Sequence, residues 1–118
     1  MRQLLLVLVL VLMVAPLAAH ADGFVPGTED LPLMPGLESV AGSAVVFDKP
    51  EGRIVESTAH GKLTRYAVTR FYTQTLPQLG WQHVTGTPAS WTRAGERLRL
   101  DFRGPDGDLT VGFMIAPQ

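Results

Sequence analysis

The chain contains no cysteine. No disulfide and no thiolate metal site can support the fold, which must stand on its apolar core alone. Strong charge of either sign is also missing, since ten Lys and Arg face eleven Asp and Glu for a formal net charge of −1. Such near neutrality argues against nucleic acid as a partner and against strong attraction to an anionic membrane surface. Apolar runs of spanning length are missing as well. The longest, Leu4 to Val14, falls well short of the roughly 20 residues a transmembrane helix needs, and no basic stop-transfer cluster follows it.

That short run is nevertheless the most informative stretch. Arg2 supplies a positive start, every residue from Leu4 to Val14 is Leu, Val or Met, and Pro16 breaks the run before Ala18-Ala19-His20-Ala21. This is the pattern of an export signal with an A-x-A cleavage site, so residues 1–21 read as a signal peptide and the mature chain is expected to begin at Asp22. The expected localisation is periplasmic or secreted, with no transmembrane segment after cleavage. Because no cysteine follows to take a lipid, a soluble mature protein is expected. Removing Arg2 leaves nine basic residues (10 − 1) against eleven acidic ones, a net charge of −2. The remaining 97 residues (118 − 21) suffice for a single domain, burying roughly 60–68% of its unfolded surface.

Residues 22–42 form a Pro/Gly-rich arm, with prolines at 26, 32 and 35 and glycines at 23, 27, 36 and 42. Proline fixes φ and steers its predecessor away from the helical region, so no helix is expected there. Leu31, Leu33, Met34 and Leu37 interleave with the prolines, a composition too apolar for a solvated tether. The arm is expected to lie docked on residues 43–118, a single α+β domain.

Within that domain, Ser43 to Asp48 and Arg53 to Ala59 read as a hairpin around Lys49-Pro50-Glu51-Gly52. Beyond Gly61 the period changes. Val68, Phe71, Tyr72, Thr75, Leu76 and Leu79 fall on one helical stripe, with Thr64 as N-cap without a capping box and Gly80 as the left-handed stop. Pro77 should tighten the last turn. Short strands follow at Trp81 to Thr85, Ser90 to Arg93, Glu96 to Arg103 and Leu109 to Ala116. Leu98, Leu100 and Phe102 point one way while Arg97, Arg99, Asp101 and Arg103 point the other, so one sheet face is apolar and one wet. The expected fold is an α+β two-layer sandwich, one amphipathic helix on a mainly antiparallel sheet, in the order ββαβββ.

Three blocks carry a resemblance: Asp30-Leu31-Pro32-Leu33-Met34-Pro35-Gly36-Leu37, Phe47-Asp48 with Pro50 and Gly52-Arg53-Ile54, and Phe71-Tyr72 with Thr75-Leu76-Pro77-Gln78-Leu79-Gly80-Trp81. In this order they resemble a family of small secreted bacterial proteins, found mainly in alphaproteobacteria, with no known activity. The resemblance covers nearly the whole mature chain, and it brings no catalytic residue with it.

No catalytic, metal or cofactor site is expected. Glu56 and His60, four apart on a strand, stand about 13 Å from each other along the chain, too far to share a metal. Serines 39, 43, 57 and 90 lack the Gly-x-Ser-x-Gly setting of a hydrolase nucleophile. The Arg97, Arg99 and Arg103 stripe could grip a carboxylate or phosphate, although Asp101 lies within it and Arg93 is expected to pair with Glu96 across the turn. Trp81 is expected to cover the end of the core, and Trp91 could be an exposed binding aromatic.

Two readings follow. The first is a non-catalytic interaction or accessory module of the cell envelope, holding an envelope protein or ligand through Leu31, Leu33, Met34, Leu37, Trp91, Arg97, Arg99 and Arg103. The second is a small-ligand carrier or small enzyme with a pocket between helix and sheet.

Overall fold

The computed structural model describes residues 23–118, so the segment read as an export signal, with its expected cleavage site, lies outside the described residues. The elements are β1 (Glu38–Ser39), β2 (Val45–Lys49), β3 (Gly52–Gly61), α1 (Arg65–Thr75) continued by a 3₁₀ turn (Leu76–Leu79), β4 (Gln82–His83), β5 (Ser90–Arg93), β6 (Glu96–Arg103) and β7 (Leu109–Pro117). One helix thus lies on an antiparallel sheet, as the sequence pattern requires. The order is βββαββββ rather than ββαβββ. β1 and β4 are each two residues long; β1 carries no alternation by which it could be read, and β4 is what remains of the strand expected from Trp81 to Thr85.

The segment expected as a strand from Trp81 to Thr85 shrinks at both ends for local reasons. Trp81 N–H is taken by the carbonyl of Leu76 at 3.1 Å, while Gly80, at φ 87°, closes on Pro77. That pair of bonds is a helix-terminating cap of the Schellman kind. Beyond His83, Thr87 N–H turns back to the Val84 carbonyl at 3.2 Å. Thr64 caps the helix start by accepting from Ala67 N–H at 3.0 Å, and Pro77 coincides with the change from α to 3₁₀ geometry.

Strand β3 is the spine of the sheet, with β7 along one side and both β2 and β1 along the other; β6, β5 and β4 follow outward from β7. β2 pairs with Gly52 to Glu56 and β1 with Ala59 and His60. Between them the Ser43 hydroxyl stands in for main chain, accepting from Thr58 N–H at 3.1 Å and donating to the Val40 carbonyl at 2.7 Å.

Trp91, Leu98, Ile115 and Val55 lie in one cross-strand row, with Leu100 and Phe113 in the next. All are buried, beneath the helix residues Val68, Tyr72 and Leu76. Tyr72 meets Phe113 edge to face at 5.6 Å. Phe71 and Leu79 flank this core and remain partly exposed.

The arm is docked. Val25, Leu31, Leu33 and Leu37 are buried, and Met34 packs against the core. Three devices hold it. The Tyr72 hydroxyl donates to the Pro32 carbonyl at 2.8 Å and accepts from Met34 N–H at 3.2 Å. Burial pushes this phenol well above its ordinary pKa, so it remains a donor across the physiological range. The Gly36 carbonyl passes so close over Gly61 that no Cβ could stand there. The third device is an ion pair, in which Arg93 binds Asp30 at 2.7 and 3.2 Å, reaches the Leu79 carbonyl at 3.0 Å and lies 4.3 Å over the Trp81 ring. Arg93 therefore does not pair with Glu96 as expected. The two are register partners, but the Glu96 side chain turns to Arg53 at 3.5 Å, leaving Arg93 to the arm.

Candidate functional site

Strand alternation sends half of every strand away from the helix, and those residues make the open face. Its cross-strand rows run Arg97 to Ala116; Arg99 to Met114, Glu56 and Val45; Asp101 to Gly112 and Thr58; and Arg103 to Thr110, His60 and Glu38. Gly112 contributes no side chain to the middle of this face. The result is a hollow of about 510 Å³ bordered by Ser43, Glu56, Thr58, Arg99, Asp101 and Arg103. A second hollow of about 160 Å³ adjoins it, lined by Arg97, Arg99, Met114, Ala116 and Pro117. Arg99 and Met114 border both, so the two form one depression along the face.

The charges on this face are unequal in availability. Arg103 is engaged by Asp101 at 3.2 Å, and Arg53, Arg65 and Arg93 are held by Glu96, Asp106 and Asp30. Arg70 donates to the Tyr66 hydroxyl. Among the described residues, Arg97 and Arg99 are the arginines without an oxygen partner; Arg99 reaches only the Met114 sulfur at 3.9 Å. Both are exposed and stand two residues apart on the same strand face. Two free guanidinium groups beside Met114, Ala116 and Pro117 can bind a carboxylate or phosphate whose neighbouring atoms are apolar.

The residues expected to serve a surface divide into two groups. Leu31, Leu33, Leu37 and Trp91 are 1%, 7%, 4% and 0% exposed, and so belong to the core. Met34 is half-buried against the same core. Trp91 faces inward because it shares the Leu98 and Ile115 row, and the His83 ring covers it edge-on at 5.5 Å. Arg97, Arg99 and Arg103 do lie together on the wet face, with Asp101 between the last two as expected. Glu56 and His60 share that face, with His60 bound to Asp108 at 2.6 Å. Neither His60 nor His83 lines either of these two hollows. Among the described residues no three acidic or histidine side chains converge, and no helix is long and apolar enough to cross a membrane.

Sequence reasoning missed Gly112, Met114, Glu56 and Thr58 as parts of this surface. A signal for the first was available. Thr110, Gly112, Met114 and Ala116 are the outward positions of β7, and an isolated glycine in a strand marks a missing side chain or a close approach. Its flanking partners follow from the register, which cannot be read before the strands are paired.

No protein-family model, curated protein or solved structure matches the chain.

Proposed function

We propose that the chain is an exported accessory module of the bacterial cell envelope that works by non-catalytic binding, with the open face of its sheet as the surface that holds its partner. The observation that carries this reading is the pair Arg97 and Arg99, exposed, free of oxygen partners among the described residues, and set beside an apolar hollow. The arm leucines and Trp91, expected from sequence to serve such a surface, are consumed by the core. The partner surface that complements this pair carries a carboxylate or phosphate next to an apolar group. The export pattern read in residues 1–21 supports an encounter in the periplasm or outside the cell. The test is a crosslinking pull-down from the native envelope fraction, comparing the wild type with Arg97→Ala/Arg99→Ala at equal melting temperature. Partners that the wild type recovers at low salt and the double variant does not support the reading; identical recovery by both removes the open face from the function.

A small-ligand carrier is the second reading, and the larger hollow favours it. Its 510 Å³ lies within the range of small-molecule sites, roughly 300–1,000 Å³. It differs in place from the pocket first expected, since the seam between helix and sheet is filled by Val68, Tyr72, Leu76 and Phe113. The hollow is lined by Glu56 and Asp101 as well as Arg99 and Arg103. Such a lining suits a ligand bearing both charges.

A further inference from the structure

Among the described residues nothing pairs with the outer edge of β2, which is unusually apolar. All five of its residues are exposed, with Val45 at 39%, Val46 at 50% and Phe47 at 52%. Within the sheet β2 pairs only with β3. An exposed apolar edge strand is ordinarily blunted by charge, proline or cover, because its free main-chain groups template the addition of another strand.

The direction of those groups can be worked out. Thr58 turns both its main-chain groups to the β2 side of β3, its N–H to Ser43 Oγ and its carbonyl to Val40 N–H at 2.8 Å. Direction alternates along an antiparallel ladder, so Glu56, Ile54 and Gly52 face the same way. Their register partners Val45, Phe47 and Lys49 therefore point their main-chain groups inward. Val46 and Asp48 point theirs outward. The edge ends at Pro50, which has no N–H to offer.

We propose that this edge pairs antiparallel with the same edge of a second copy, about a two-fold axis at Val46. In that register Val46 faces Val46, and Val45 faces Phe47 of the second copy on the open-face side. Every exposed apolar side chain of the edge then meets an apolar one. Moving the axis to Phe47 sets Val46 against Asp48 and Val45 against Lys49, which pairs apolar groups with charges. Charge also selects the direction. Asp48 and Lys49 lie at one end of the strand, so antiparallel pairing keeps the copies' like charges at opposite ends, whereas parallel pairing stacks them. The axis runs perpendicular to the sheet, and the two open faces lie on the same side of one continuous sheet.

So short an edge buries less than the roughly 1,000 Å² typical of a stable interface. The dimer therefore forms reversibly at high micromolar concentration and is sought there. Sedimentation equilibrium of the exported protein should show the average mass rising towards twice the monomer mass as concentration increases. Val46→Pro removes only an outward N–H, so it should leave the hairpin bonds and melting temperature in place while keeping the protein monomeric. Val46→Lys should do the same through charge, and it carries the test if the proline variant does not fold. Because the chain has no cysteine, a single introduced thiol reports register. Val46→Cys should form a disulfide-linked dimer under mild oxidation faster than Phe47→Cys, and faster than Tyr66→Cys on the exposed helix face. A wild type that stays monomeric to millimolar concentration, a dimer that survives Val46→Lys, or a Val46→Cys dimer forming no faster than the Tyr66→Cys dimer would each overturn the proposal.

Discussion

Arg93 holds both carboxylate oxygens of Asp30, at 2.7 and 3.2 Å, and so fastens the arm to β5 across 63 residues of sequence. The hydrogen bonds from Arg93 keep the Asp30 carboxyl below its ordinary value of 3.8, against a smaller opposing effect of burial. The same bonds hold Arg93 in its charged form. Stabilisation from a carboxylate lowered in this way is complete above the ordinary value and is lost as pH falls through the folded value. Asp30 is half exposed at the side chain, so the pair is worth only about 0.5–1 kcal/mol. Asp30→Asn should therefore melt a few degrees below wild type at neutral pH, and the two melting curves should converge well below pH 3.8. A gap that persists unchanged in acid would assign the loss to packing rather than charge.

Tyr72 anchors the arm from the helix side. Replacing it with Phe keeps the aromatic contacts with Phe71 and Phe113 but strips a partner from the Pro32 carbonyl and Met34 N–H. Leaving such part-buried groups unpaired costs about 1–3 kcal/mol. Tyr72→Phe should lower the melting temperature and expose the arm to protease before the sheet is cut. Equal proteolysis of wild type and variant would show that the hydroxyl does not hold the arm.

Gly61 has no need of a left-handed backbone, as it is not among the residues with positive φ. Its requirement is space. A Cβ there would collide with the Gly36 carbonyl oxygen and press on Leu37, so Gly61→Ala should cost roughly 1–3 kcal/mol by overpacking. Hydrogen exchange gives the sharper readout. The amides of Val25, Leu33 and Leu37, bonded within the arm, should lose protection while those in the centre of β6 and β7 keep theirs.

Export has its own check. If Ala19-His20-Ala21 is a processing site, as its A-x-A pattern suggests, protein recovered from an expressing bacterium should begin at Asp22 and appear in the soluble periplasmic fraction. Protein that began at Met1 and sedimented with membranes would instead favour an anchored form.

How much of this was legible before the strands were paired depends on the range of the interaction. Thr64 as N-cap, Gly80 as stop, Pro77 as the point of tightening and the alternation of β6 and β7 are local matters, and each reads directly from spacing. The apolar arm was legible as docked because Leu31, Leu33 and Leu37 are too costly to leave in water. Its fastenings were not, since Asp30 to Arg93 and Pro32 to Tyr72 join residues that no periodicity connects. Trp91 misled because a four-residue strand between turns gives too little alternation to fix its face; its burial follows from pairing with Leu98. For the open face, the arginine stripe was visible, whereas Glu56, Thr58 and Met114 joined it only through register.

Gly112 decides between the two functional readings. An added Cβ would meet only Asp101, at 3.5 Å from its Cβ and 3.8 Å from its carbonyl oxygen, both ordinary contacts, and strand backbone favours a β-branched residue. Gly112→Val should therefore fold with unchanged or slightly raised stability while filling the floor of the larger hollow. Arg97, Ala116 and Pro117 line only the smaller hollow, so its lining should be little altered. If a small ligand occupies the larger hollow, the valine variant should lose the bound compound that native mass spectrometry finds on the wild type from the periplasm. If a partner is held by Arg97 and Arg99, pull-down by Gly112→Val should match the wild type, and only Arg97→Ala/Arg99→Ala should lose it. Loss of neither compound nor partner in any of these variants would remove the open face from both readings.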